Sequence, residues 1–228
     1  MKKFKPIVCN FPQRSDEWLE WRKSGLGASE MSVIMGSLPF NFEDILDLWK
    51  KKAGLPVKEF QMNDAIQKGI DTEDEALEKF TLATGITMAP LCFTHPEYSF
   101  IRASMDGVDE KLKQGVEIKC PSASKYYTAK KGIVLDYYYT QLQSQMCVTG
   151  LKELFYWVYR EKEGGVLIKV TRNEAYIEEI IRRAGIFWKM VQDFEPCLPH
   201  HLDINIYQDS DPFIAGEHKT ELVGIYKN

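Results

Sequence analysis

Residues 104–121, SMDGVDEKLKQGVEIKCP, set two acids and a lysine where they can share one site. If the flanking strands form a hairpin centred near Lys111–Leu112, Asp106 lies directly opposite Glu117, with Cβ atoms roughly 5 Å apart. Two carboxylates that close repel. A hard divalent cation removes the conflict, because Mg²⁺ takes carboxylate and carbonyl oxygens at about 2.0–2.1 Å. Glu117 and Lys119 are two apart on a strand and share a face, while Val116 and Ile118 turn towards the core. Lys119 then reaches the same place, where its ammonium could orient or help deprotonate a water and stabilise charge on a phosphate. The plainer alternative is a solvated hairpin whose charged residues face water.

A second acid comes from upstream. The pattern from Asn63 to Thr84 predicts one long helix closed by Gly85, with Ile66, Ile70, Leu77 and Phe80 on one apolar face. Glu73 falls in the gap of that face, and a carboxylate turned to a core is costly unless paired or bound to metal. Glu73 is therefore a candidate third ligand. At the edge of the stripe it would simply reach water.

Other elements must carry these residues. Short helices are expected from Ser15 to about Gly25, from Ala28–Ser29 to Gly36, and from about Asn41 to Ala53. Strands follow at Ile86–Phe93, Ser99–Met105 and Val116–Lys119, with Asp106–Gly107 and Gln114–Gly115 as turn signals. Helices at about Ala123–Lys131 and Leu135–Val148 precede a strand pair, Leu154–Arg160 and Val166–Thr171, and a final amphipathic helix, Asn173–Phe194. From Pro196 the pattern dissolves, so 196–228 reads as a loosely ordered tail behind a single domain of 1–195. Helices on either side of a small mixed sheet make an α/β (α+β) fold.

Composition sets the outer bounds. A 228-residue chain that is 44% hydrophobic and 27% charged can bury a core without disulfides. Five scattered cysteines, Cys9, Cys92, Cys120, Cys147 and Cys197, contain no C-x-x-C pair, which speaks against a disulfide framework or a zinc site and for a reducing cytoplasm. No signal-peptide pattern and no membrane-length apolar run are present. The net charge of −4 argues against a protein that coats nucleic acid indiscriminately, but not against an enzyme that gathers acids at metals and lysines along a local track.

The order Glu73, Asp106, Glu117-Ile118-Lys119, then a helix bearing Gln141 resembles the PD-(D/E)XK nuclease superfamily, with Met-Asp in place of Pro-Asp. It is similar in particular to the phage lambda exonuclease branch, the YqaJ-type viral recombinases, through EWLEWRKSGLGASE at 17–30, SMDG at 104–107 and VEIKCP at 116–121. The likeness spans about residues 14–195. It implies a nuclease fold with a mixed central sheet and a 5′-to-3′ exonuclease on double-stranded DNA ends. It implies two Mg²⁺ (or Mn²⁺) per site, a homotrimer, and a 3′ single-stranded tail left for a single-strand annealing protein in a bacterial host's cytoplasm. Carried over by position, Asp106 bridges the metals, Glu117 and the Ile118 carbonyl complete one shell, and Glu73 contacts the second metal. Lys119 acts on the attacking water and Gln141 positions. Arg22 and Ser29 match the residues that hold the 5′-phosphate. Physically, a helix start favours an anion and an arginine can grip a phosphate with two parallel bonds; a surface arginine and an N-cap serine are the plain alternatives. Lys125, Lys130 and Lys131 form a candidate DNA track, or else a solvated basic helix. An endonuclease on the same fold and a non-catalytic end-binding subunit are the competing functions.

Overall fold

The computed structural model describes residues 4–37, 45–57, 64–204 and 218–227, and for Asp64, Ala65, Ile66 and Ile70 the backbone alone. The expected helix starts at Asn41 and Asn63, the side chains of Ile66 and Ile70, and 205–217 of the tail lie outside the described residues.

The elements in chain order are β1 (Ile7–Cys9), α1 (Asp16–Lys23), β2 (Leu26–Gly27), a 3₁₀ turn (Ala28–Glu30), α2 (Met31–Ile34), α3 (Ile45–Lys52), α4 (Asp64–Asp71) and α5 (Glu73–Thr84). There follow β3 (Ala89–Thr94), β4 (Ile101–Val108), β5 (Gly115–Lys119), α6 (Ala123–Ala129), α7 (Asp136–Thr149), β6 (Glu153–Arg160), β7 (Gly164–Thr171), α8 (Glu174–Gln192), a second 3₁₀ turn (Pro199–Leu202) and β8 (Thr220–Tyr226). The strands form one mixed sheet in the order β1-β3-β4-β5-β6-β7-β8, with β2 parallel to β4 at Leu26↔Ile101. β5 and β6 are parallel; the other neighbours in that order are antiparallel. This is the mixed α/β architecture expected.

Helices cover both faces. On one, α2, α3, α7 and α8 bury Met31, Leu48, Leu142 and Phe187 against Met105, Tyr156, Val158 and Ile168. On the other, Ala76 and Phe80 of α5 pack on Val116, Ile118, Trp157 and Leu167. Because β5 alternates, Val116 and Ile118 go to the α5 side and Glu117 and Lys119 to the α7 side.

Two expectations change. The long helix is interrupted at Thr72, whose hydroxyl donates to the Lys68 carbonyl at 2.6 Å, so Glu73 opens α5 instead of sitting within one continuous apolar stripe. The loose tail is also corrected in part. Cys197 and Leu202 are buried, and β8 pairs with β7 from Gly165↔Tyr226 to Val170↔Thr220. The Pro-, His- and Asp-rich stretch ahead of β8 masked the short ladder partner that β7 requires.

Candidate active site

The hairpin takes the anticipated register, Val108↔Gly115 and Gly107↔Val116, and its turn is organised by Asp109. That carboxylate accepts N–H groups from Lys111 at 3.2 Å and from Lys113 and Gln114 at 2.6 Å, which lets Leu112 take φ +53°. The main-chain ladder stops one step short of Asp106 and Glu117. On the other side of β4 the register with β3 slips: Ala89 faces Val108 but Leu91 faces Met105, so Asp106 and Gly107 together oppose Pro90. Two residues against one is a β-bulge, a device that re-aims a side chain, and proline suits it because it has no N–H to give the ladder. Asp106 consequently turns towards β5, where its Oδ2 accepts the Ile118 N–H at 2.8 Å.

Glu117, 2% exposed, is gripped from three directions. Its Oε1 accepts Lys119 Nζ and Gln141 Nε2, each at 2.5 Å, and its Oε2 accepts Gln145 Nε2 at 2.5 Å. Glu73 pairs with Arg14, which the left-handed backbone at φ +72° helps to aim. Burial, then the Glu117 and Glu73 charges, push the Asp106 carboxyl well above the usual carboxylate range, against Lys119 and the Ile118 N–H. Burial also raises Glu73, against the Arg14 and Lys119 charges. Burial opposes the Lys119 charge, but Glu117 and Asp106 outweigh it and raise the ammonium above its ordinary value.

The second wall of the cleft comes from α1 and the turn after β2. Arg22 lays its guanidinium over the Trp18 ring at 4.7 Å, and Trp18 Nε1 donates to Ser104 Oγ at 2.9 Å. Gly27 borders that guanidinium, and a Cβ there would meet it at 3.5 Å, an ordinary van der Waals contact. Behind lies a buried ion pair, Lys52 Nζ to Glu30 Oε2 at 2.7 Å; Glu30 also accepts the Gly27 N–H at 2.8 Å, and Lys52 donates to the Arg22 carbonyl at 2.9 Å. Burial pushes the Glu30 carboxyl up, but the Lys52 and Arg22 charges and its hydrogen bonds hold it below the ordinary value. At Lys52 burial wins over the Glu30 charge and lowers it.

One cleft of about 210 Å³ gathers Arg22, Ser29, Glu73, Asp106, Glu117, Lys119 and Gln141. The model of the YqaJ-like viral recombinase domain matches residues 17–152, more than half of the chain and all of these residues. The chain belongs to that family. Among relatives, an uncharacterised protein YqaJ of Bacillus subtilis (strain 168) is 28% identical over 202 residues, 82% of this chain and 59% of that protein. An uncharacterised protein of Acanthamoeba polyphaga mimivirus is 27% identical over 160 residues, 64% of this chain and 29% of that protein. The chain thus spans less than two thirds of either relative's length. The fold is that of an alkaline exonuclease (LHK-Exo) from Laribacter hongkongensis, with a TM-score of 0.69 at 24% identity, covering 79% of this chain and 94% of that one.

Not every anticipated residue lines the cleft. Ile118 borders an adjoining recess together with Glu73 and Asp106. Ser29 is exposed and sits in a three-residue 3₁₀ turn, too short to supply a helix dipole, so Arg22 carries the charge of that wall. Lys125 leans over Tyr137, Lys130 over Tyr127, and Lys131 is exposed, all on or after α6 and outside the cleft walls. Gln13, Arg14, Trp18 and Ser104 enter the cleft without having been singled out. Gln145 was missed as well, although Gln141 and Gln145 stand four apart on α7 and that spacing puts both amides on one helix face.

Proposed function

We propose that this protein is a metal-dependent 5′-to-3′ exonuclease that acts on the ends of linear double-stranded DNA, releases mononucleotides and leaves a 3′ single-stranded tail. The observation that carries the reading is the placement of Asp106, Glu117 and Lys119 in one cleft with Arg22. A phosphate-cutting centre and an arginine able to hold a terminal phosphate then line one cleft of about 210 Å³. The resemblance extends the proposal to a homotrimer working with a single-strand annealing protein.

The donor set fits a hard divalent cation. Three acids border the cleft, and burial first, then the Glu117 and Glu73 charges, raise the Asp106 carboxyl, so a cation bound beside it would restore the charged form. Among the described residues no three His, Cys, Asp or Glu side chains already stand as a metal cage. Glu73 is engaged by Arg14, and Glu117 by Lys119 and two glutamines. Asp106, Glu117 and the Ile118 carbonyl would hold one Mg²⁺ (or Mn²⁺), and Glu73 would serve a second after leaving Arg14. Bound there, such ions neutralise the scissile phosphate and lower the pKa of a coordinated water.

The chain's own groups do the rest. Gln141 and Gln145 fix the Glu117 carboxylate by charge-assisted donation. Lys119 presents its ammonium to a phosphate oxygen or to the attacking water. Arg22 grips the 5′-terminal phosphate and sets the position of the first phosphodiester bond.

The test is the rate on 5′-phosphorylated and 5′-hydroxyl linear duplex, for wild type and Arg22→Ala, with closed circles as control. A charge-assisted contact of about 1.5–3 kcal/mol gives roughly a ten- to hundred-fold preference for the phosphate. Arg22→Ala is expected to erase most of it by slowing the phosphorylated substrate alone. Equal wild-type rates on the two ends, or cutting of closed circles, would replace the exonuclease with an endonuclease.

A further inference from the structure

From Ile118 to Leu135 the chain holds four lysines, Lys119, Lys125, Lys130 and Lys131, and no acid, in a protein whose net charge is −4. Among the described residues no carboxylate pairs with Lys125, Lys130 or Lys131. The same stretch, continued into α7, carries rings. Tyr137 and Tyr138 lie 4.3 Å apart between centroids, and Tyr127 is 51% exposed. Two lysines bracket the Tyr137–Tyr138 pair: Lys119 lies over Tyr138 at 5.4 Å, and Lys125 over Tyr137 at 5.4 Å and over Tyr138 at 6.0 Å, while Lys130 lies over Tyr127 at 5.7 Å on another face of α6. Because Lys119 belongs to the cleft, Tyr138 joins this pair to the catalytic acids.

Each ammonium is within cation–π reach of a ring, which holds the ring and leaves N–H donors for a phosphate. Aromatic faces interleaved with cations form the surface that takes unpaired nucleotides, with bases stacking on the rings while phosphates meet the lysines. A duplex keeps its bases stacked inside and offers none to a tyrosine. We infer that Tyr137 and Tyr138, with Lys125, form a base-stacking platform for the single-stranded DNA that opens from a duplex end at the cleft. The occupant follows from the proposed exonuclease, but the platform is testable apart from it.

The probe is a labelled oligothymidylate, compared in EDTA by fluorescence anisotropy with an abasic strand of equal length and phosphate number. Stacking one or two bases predicts about tenfold tighter binding of the base-bearing strand by the wild type. Tyr137→Ala is expected to remove most of that difference while both strands keep their salt dependence, and Tyr137→Phe, which retains the ring, to preserve it. Equal affinity of the wild type for the two strands would overturn the platform and leave a purely electrostatic lysine track. So would a tenfold difference that survives Tyr137→Ala. If Tyr137→Ala loses its circular dichroism, the wild-type comparison and Tyr137→Leu, which keeps apolar volume without a ring, decide. Digestion of linear duplex by the same preparation with Mg²⁺ separates the two readings. Digestion without base discrimination sinks the platform alone, and discrimination without digestion sinks the nuclease alone.

Discussion

Lys52→Met isolates the buried ion pair behind the cleft. The change keeps the volume and the alkyl stem but leaves Glu30 without its main cation, in a place where the two side chains are 2% and 6% exposed. Removing one partner of a buried pair costs about 3–5 kcal/mol, because the remaining charge is desolvated and uncompensated. Two features move the expectation to the lower end: Lys51 Nζ stands 3.7 Å from Glu30 Oε1, and the Gly27 N–H still donates at 2.8 Å. A loss of about 3 kcal/mol corresponds to a fall in Tm of roughly 6–12 °C for a domain of this size. Urea unfolding should show a lower midpoint with an unchanged slope. Replacing both members, Glu30→Gln with Lys52→Met, should recover at least half of the loss, since no charge is left stranded. Lys52 also donates to the Arg22 carbonyl, so the single variant should narrow the preference for 5′-phosphorylated ends. A loss below about 1 kcal/mol, or a double variant less stable than Lys52→Met, would refute the claim that this pair supports the phosphate wall.

Three further outcomes are expected. Asp106→Asn should abolish DNA hydrolysis in Mg²⁺ yet leave the metal-free protein at least as stable as the parent, because it removes repulsion from Glu117 and Glu73; residual turnover near wild type would undo the site assignment. Gly165→Ala should destabilise by about 1–3 kcal/mol in urea unfolding, since a Cβ there would stand 2.0 Å from the buried Trp157 ring, and an unchanged midpoint would show that the ring moves freely. Hydrogen bonds from Arg182 and then Arg183 hold the Glu179 carboxyl below its ordinary value, so its stabilisation is present above the unfolded pKa and is lost as pH falls through the folded one. Glu179→Gln should flatten the pH dependence of stability on that acid side, and an unaltered acid limb would count against it.

Much of the site was legible because strand and helix periods are local. The two-residue spacing of Glu117 and Lys119 and a hairpin centred near Lys111–Leu112 match the observed register, whereas Asp106–Gly107 and Gln114–Gly115, read as turn signals, are not the turn: Asp106, Gly107 and Gly115 lie within β4 and β5. Elements with strong periodicity, such as α8 and the β6–β7 pair, fell within a few residues of their expected limits. The failures share a cause, which is that the missing partner is remote in sequence. Arg14 meets Glu73 across 59 positions and Gln145 meets Glu117 across 28, so no window along the chain contains both. Glu30 and Lys52 are closer, but each looks like an ordinary helix charge until the fold buries them together.

The bulge at Asp106 is the most telling of these cases. Regular alternation through β4 would put Asp106 on the face opposite Met105, and the ladder with β5 would continue with an Ile118 N–H bonded to main chain. Pro90 and the extra residue break both patterns at once. The N–H released from the ladder is the one that Asp106 accepts. An acid lodged between two strands in this way is tied to the backbone of β5 while it still borders the cleft. Its position is set by the backbone of β3 and β5 more than by its own rotamer. A change at Pro90 that restores a ladder N–H should therefore disturb Asp106 without touching any residue of the cleft.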